Sequence, residues 1–319
     1  MLSFSHFWPT AGRQGSKTMQ SPDYFINNNK GDSIYNKLHF WEPHTSSIDF
    51  CKTNYLHSSY IVEPHNVFSS LWGLSAIGFI GIYFGNPTNE LRFQIAYGIL
   101  ILIGLGSAAL HGTLHWIFQS SDELPMIYLV LSAVYCCLEL GDDTVQKDKL
   151  KYPWLPYFFV ALGIINTFVY FRFQQMYIVF LMTFVGLTMV GLTLHVQTAW
   201  KQRQILVSTE ESSIRRNNAQ VALRFYIWHY IVFIFIAAPV WVLDQFWCKH
   251  LIEIYDNTLP FFLKGCTLHV IWHAMAGLGA HTILQFLIAC RMSILGLPCA
   301  IRWVFVIPVV INGANIKQS

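Results

Sequence analysis

The sequence predicts an all-α integral membrane bundle of seven transmembrane helices with an N-terminal lumenal segment. Three observations carry that expectation. Apolar residues make up 54% of the chain and charged residues 12%, against roughly 25% charged in soluble domains. Mean hydropathy is +0.42. The apolar mass lies in long runs, each near the roughly 20 residues that a spanning helix needs.

Residues 1–40 are polar and rich in Ser, Asn, Gln and Gly, and read as a disordered leader. They hold no continuous apolar core followed by a small-residue cleavage site, so the first span is expected to act as its own insertion signal. Residues 41–66 form the N-terminal segment and 67–290 the bundle, with spans starting near Val67, Phe93, Leu124, Trp154, Met176, Phe225 and Cys266. Residues 291–319 are a cytosolic or interfacial tail. A further run, 294–311, is interrupted by Pro298, Arg302 and Pro308 and is read as interfacial rather than as an eighth span.

Charges orient the bundle. The first, third and fifth loops carry Arg92, then Lys147, Lys149 and Lys151, then Lys201, Arg203, Arg215 and Arg216. The even loops carry Arg172, Lys249 and Lys264. Basic residues favour the cytosolic side, which puts the N-terminus in the lumen and the C-terminus in the cytosol; the basic residues of the leader argue weakly the other way. A net charge of +3 with no basic patch argues against a nucleic-acid partner.

Ionisable groups within a membrane are costly unless paired or liganded, and three stretches hold them. The second span ends Ser107-Ala108-Ala109-Leu110-His111, the third opens Ser121-Asp122-Glu123-Leu124-Pro125, and the seventh opens His269-Val270-Ile271-Trp272-His273. His269 and His273 are i and i+4, one turn apart on one helix face, a common half-site for zinc. Ser107 and His111 share a face in the same way. On the loop-charge topology all three stretches meet at the lumenal leaflet, and that topology was set without reference to them. Blander readings exist for each member: a histidine bonded to a neighbouring helix, Asp122 as a helix cap, Ser107 as a small packing residue. His57, His65, His195, His229 and His281 have no such company and stay unassigned.

These residues resemble the alkaline ceramidases, seven-span hydrolases of a superfamily that includes the adiponectin receptors. The similarity rests on Asp49-Phe50-Cys51-Lys52-Thr53-Asn54-Tyr55, on Ser59 to Glu63 with Asn66, and on GSAALHGTL (106–114), QSSDELPMIY (119–128), DQFWC (244–248) and HVIWH (269–273). The resemblance implies zinc on His111, His269 and His273, with Asp122 as general base and then acid, and Ser107 donating to the oxyanion or the attacking water. It also implies a calcium site on Asp49, the Phe50 carbonyl, Asn54 and Glu63, but Lys52 stands where the family has an acidic residue, and an ammonium cannot ligate a cation. A Cys51–Cys248 disulfide, possible in an oxidising lumen, is the third implication; two free thiols are the alternative.

The expected function is zinc-dependent hydrolysis of the ceramide amide, dihydro- or phytoceramide included, to a fatty acid and a sphingoid base. The alternative is a non-enzymatic seven-span lipid receptor with structural zinc. A transporter would spread its ionisable residues through several spans, whereas here they cluster at one leaflet. The expected partners are the bilayer and its ceramide, with no obligate protein partner. The expected location is the endoplasmic reticulum or Golgi, although the NIKQS terminus holds no retrieval signal.

Overall fold

A computed structural model describes residues 39–48, 50, 53–141, 150–174 and 176–314. Among them are seven helices long and apolar enough to cross a membrane, and the chain is an integral multi-pass membrane protein of the all-α class. The spans are α1 (Pro64–Phe84), α2 (Leu91–Thr113), α3 (Trp116–Leu138), α4 (Leu155–Arg172), α5 (Tyr177–Val207) and α6 (Ser213–Phe246). A short amphipathic helix, α7 (Cys248–Thr258), and one 3₁₀ turn lead to the seventh span, α8 (Leu268–Ile294). Two spans contain π-helical stretches, Leu71–Ser75 in α1 and Tyr230–Ala237 in α6.

α8 is the central pillar. In its most apolar stretch 72% of residues are buried, against 11% in α4, α5 and α6, whose apolar outer faces suit lipid. Its contact with α1 depends on two glycines. A Cβ on Gly73 would lie 2.8 Å from Ala274 Cα, and one on Gly277 would lie 1.7 Å from the Gly73 carbonyl. Such small-residue contacts let helix backbones touch in a membrane, where dispersion rather than water drives association.

Two boundaries depart from expectation. α3 begins at Trp116, eight residues before the expected Leu124, so residues 116–121, expected as the loop between the second and third spans, are helical. α6 begins at Ser213, where Ser212 caps the helix by accepting from the Arg215 N–H at 3.2 Å, and its polar first turns precede the apolar run.

The 294–311 run is neither a span nor a featureless tail. Strands β1 (Cys299–Val304) and β2 (Ile307–Asn312) pair antiparallel, with Val309 and Val310 fully buried against the bundle. Pro308, which forbids a helix here, is tolerated because it sits on a strand with an outward edge. Asn218 of α6 fastens the hairpin at its base, its side-chain amide donating to the Leu297 carbonyl and its Oδ1 accepting from the Cys299 N–H.

The described residues between 39 and 63 strap one end of the bundle. The Leu114 carbonyl, at a left-handed helix end, accepts from the Thr45 and Ser46 N–H groups, and the Val62 and Glu63 N–H groups donate to Gly112 and His111 carbonyls. Phe50, Val62, Leu110 and Leu114 form a small apolar cluster beneath. Asp49, Cys51 and Lys52, three of the positions singled out in the sequence, lie outside the described residues.

Candidate metal centre

His111 on the last turns of α2 and His269 and His273 on the first turns of α8 converge as expected. All three are buried, with potential ligand atoms within 4.8 Å of one another. Ring centroids stand 5.1 Å (His111–His269), 5.0 Å (His111–His273) and 4.7 Å (His269–His273) apart.

The outer nitrogen of each ring is already held. His269 Nδ1 donates to Asp244 Oδ2 at 3.2 Å, and His111 Nδ1 donates to Glu63 Oε2. Ser69 gives its hydroxyl proton to the Asn66 carbonyl, so its oxygen accepts from His273 Nδ1 at 2.8 Å. With every Nδ1 a donor, Nε2 is the nitrogen that keeps a lone pair. Three neutral imidazoles braced by two carboxylates and a hydroxyl are the donor set and outer support that zinc sites use. The residues present therefore fit the metal.

Ser107 stands beside this cluster, its Oγ 3.4 Å from His273 Nε2 and 3.0 Å from Ser70 Oγ, which donates to it. The Ser107 hydroxyl is also a hydrogen-bonding neighbour of the Asp122 carboxylate. Gly106 explains the juxtaposition: a Cβ there would lie 2.0 Å from the Ser121 carbonyl oxygen and 3.0 Å from the Asp122 nitrogen. Only glycine lets α2 press onto α3 so closely that residues 107 and 122 meet. The helix N-cap is His115, so Asp122 lies about two turns inside α3 and does not cap it. It lines a cavity of about 390 Å³ together with Ser107, His269, Trp272 and His273. Beyond them the walls are apolar, with Met126, Phe180, Phe184, Trp241 and Ile283 among them.

Asp244 and Ser69 were not assigned roles from sequence. Asp244 is fully buried at the end of α6; a carboxylate closing an apolar run was the available signal. Glu63, expected to ligate calcium, has Oε2 on His111, and Asn66 Nδ2 donates to the same oxygen at 3.3 Å. Phe50, expected to contribute a carbonyl, also packs its ring 4.4 Å from His111 and 4.6 Å from His269. Asn54 Oδ1 is buried with no hydrogen-bond partner among the described residues. With Asp49 and Lys52 outside the described residues, these groups do not by themselves compose a calcium site. Cys248 is disulfide-bonded, whereas Cys136, Cys137, Cys266, Cys290 and Cys299 are free; its expected partner Cys51 is outside the described residues. Tyr255 of α7 accepts from the Leu268 N–H at 3.3 Å and so anchors the start of α8; burial pushes its phenol pKa up.

The profile of the Ceramidase family matches residues 42–311. The chain belongs to the ceramidase family. Among ceramidase relatives, it is 28% identical to the Dictyostelium discoideum protein dcd3A over 82% of this chain and 91% of that one. It is 25% identical to mouse alkaline ceramidase 3 over 83% and 91% of the two chains. It is 26% identical to the yeast alkaline ceramidase YPC1 over 83% of each. The match spans the strap, all seven helices and most of the hairpin, so this ceramidase includes every element that positions the histidines.

Proposed function

We propose that this protein hydrolyses the amide bond of ceramide, dihydro- and phytoceramide included, with a zinc ion held by His111, His269 and His273. One observation carries the reading: three imidazoles with braced outer nitrogens face a serine and an aspartate at the head of an apolar cavity. Zinc bound there supplies Lewis acidity towards the amide carbonyl and the attacking water.

The remaining work falls to side chains. Asp122 takes the proton from the attacking water and delivers it to the departing nitrogen, so the carboxylate is regenerated within each turnover. The Ser107 hydroxyl donates to the oxygen of the former carbonyl as negative charge builds on it. Asp244 and Glu63 hold the rings of His269 and His111 in the tautomer that leaves Nε2 free to ligate, and Ser69 does so for His273. The apolar walls take hydrocarbon and exclude water, which strengthens each of these polar interactions.

In the proposed topology the centre faces the lumen of the endoplasmic reticulum or Golgi, with the C-terminus cytosolic. Pairing of Cys248 with Cys51 would there tie the strap to α7 beside the site. Calcium is kept out of the mechanism, because Lys52 replaces a carboxylate and Glu63 is engaged by His111.

The test is ceramide hydrolysis in liposomes together with metal analysis, comparing the native protein with His269→Ala and Asp122→Ala. The expected result is stoichiometric zinc and turnover in the native protein, loss of both in His269→Ala, and loss of turnover with zinc retained in Asp122→Ala. Full activity in His269→Ala, or no metal in the native protein, overturns the proposal.

A further inference from the structure

The cavity that begins at the metal centre has a second polar station, which the proposed chemistry does not use. His195 of α5 and His229 of α6 line its deep part. Both are buried, at 5% exposure each, with ring centroids 6.4 Å apart and planes nearly perpendicular. His229 stands six residues further along than His273 on the scale of α8, since its partner there is Gly279, and His195 packs on Phe286, thirteen residues beyond His273. At about 1.5 Å per residue the station lies on the order of 10–20 Å below the metal ligands, within reach of a hydrocarbon chain but not of an amide head.

The hydrogen-bond state of the pair is unusual. His229 Nδ1 is 2.9 Å from the Gly279 carbonyl, which can only accept, so Nδ1 carries the proton and Nε2 is an acceptor. Neither nitrogen of His195 has a hydrogen-bond partner among the described residues. Two turns back on the same face of α5, Thr188 Oγ1 is also buried without a partner and lines the same cavity. Buried polar atoms left so are costly, and more so in a membrane, where water does not stand by. A neutral imidazole offers one donor and one acceptor. An alcohol is complementary to the pair: it can accept from His195 N–H while donating to His229 Nε2. The π-helical stretch that starts at Tyr230, immediately after His229, is a form found often at functional sites.

We propose that His195 and His229 form a hydroxyl-binding station, so that the lipid in this cavity is recognised by an alcohol on its hydrocarbon chain as well as by its amide. The ligand class is a long-chain lipid hydroxylated far from its head, and the inference rests on the ceramide reading only for the identity of that head. The station is a specificity site and takes no part in bond breaking.

The experiment compares N-acyl ceramides of increasing chain length with their ω-hydroxylated counterparts. For the native protein, the hydroxylated member at one optimum length should show KM lower by roughly tenfold, the yield of one or two good buried hydrogen bonds. In His195→Leu the ratio should fall to about one, and His195→Asn, which keeps a donor and an acceptor, should restore part of it. A parallel series with the hydroxyl on the end of the sphingoid chain tells which chain lies in the cavity; a preference in either series supports the station. His195→Leu should melt at or above the native temperature, because it removes unsatisfied polar atoms. Failure of the ceramidase reading is kept separate by a readout without turnover: stabilisation of the His269→Ala protein by the hydroxylated ceramide over the plain one in thermal melting. Equal binding of both at every length, meaning that water alone serves the pair, overturns the inference, as does a preference that survives His195→Leu.

Discussion

The two halves of α8 both bury polar side chains, and they use them in opposite ways. At its first turns, His269 and His273 have one nitrogen each anchored, to Asp244 and Ser69, while the other nitrogens turn with that of His111 towards a common point. Further along, His281, Gln285 and Arg291 are spent on the fold. His281 Nε2 donates to the Pro308 carbonyl at 2.7 Å, and its Nδ1 lies 3.3 Å from the Tyr97 hydroxyl. Gln285 Nε2 donates to the Gly85 carbonyl and the Tyr97 hydroxyl, and its Oε1 accepts from Val310 N–H. Arg291 binds Glu90 at 2.8 Å and the Leu140 carbonyl at 2.8 Å. A buried histidine in a membrane helix therefore says little by itself. What separates a ligand from a structural group is whether its second nitrogen is spent on the fold or left facing a shared point.

The largest effect that would break this contrast is at the first end. His273→Ala should abolish bound zinc and reduce hydrolysis to background, while the protein still folds, because α1 and α8 are held by the Gly73–Gly277 contact rather than by the ring. Zinc analysis and a melting curve check both halves of that statement. Next is Gly106→Ala. Its methyl would sit against the Ser121 carbonyl, so α2 and α3 must part, at about 1–3 kcal/mol in stability. A displacement near 1 Å between Ser107 and Asp122 should lower kcat by about a hundredfold with zinc retained. Unchanged kcat would show that the close contact does not set the catalytic pair.

Asp244→Asn tests the bracing. The amide keeps the shape but not the charge that would make His269 a stronger zinc ligand, so zinc affinity should fall by about 10–100-fold, measured by competition with a chelator. Activity should recover when zinc is raised. A loss that added zinc does not repair would mean that Asp244 acts on folding.

Much of the first end was legible in the sequence. The i, i+4 spacings of Ser107 with His111 and of His269 with His273 are written in the helical period, and membrane burial made each polar residue conspicuous. The supports were not legible, because Glu63, Ser69 and Asp244 meet their histidines through tertiary packing that leaves no periodic trace; Asp244 lies 25 residues from His269 in sequence, beyond α7 and a 3₁₀ turn. The start of α3 was misplaced for a related reason. Gln119 looks like a loop residue, yet in the helix it is one turn from Glu123 and hydrogen-bonded to it, with Ser47 of the strap and Tyr170 of α4 completing their partners. The hairpin was missed because its two prolines and one arginine were weighed only as breaks in a helix. The Val- and Ile-rich alternative, a paired strand with a proline at its edge, was present in the same residues.

The smallest expected effect on the metal, and the one that sharpens the contrast most, comes from Gln285→Leu at the other end of α8. Leucine matches the volume approximately and removes every hydrogen bond that Gln285 makes. The Gly85 carbonyl and the Val310 N–H would then lose this partner, while the Tyr97 hydroxyl keeps only His281, and each buried group left unsatisfied costs about 1–3 kcal/mol. The hairpin should loosen first, since Val310 N–H is one of the two points at which β2 bonds α8, the other being Pro308 to His281. Thermal melting should fall accordingly, and amide exchange should rise in residues 299–312 before it rises in α2 or α3. Zinc bound per folded protein and KM for ceramide should stay at native values, because no atom of Gln285 reaches the histidine triad or the cavity wall. Loss of zinc in this variant would mean that the two halves of α8 are coupled, and that the polar groups of the inner half help to hold the ligands in place.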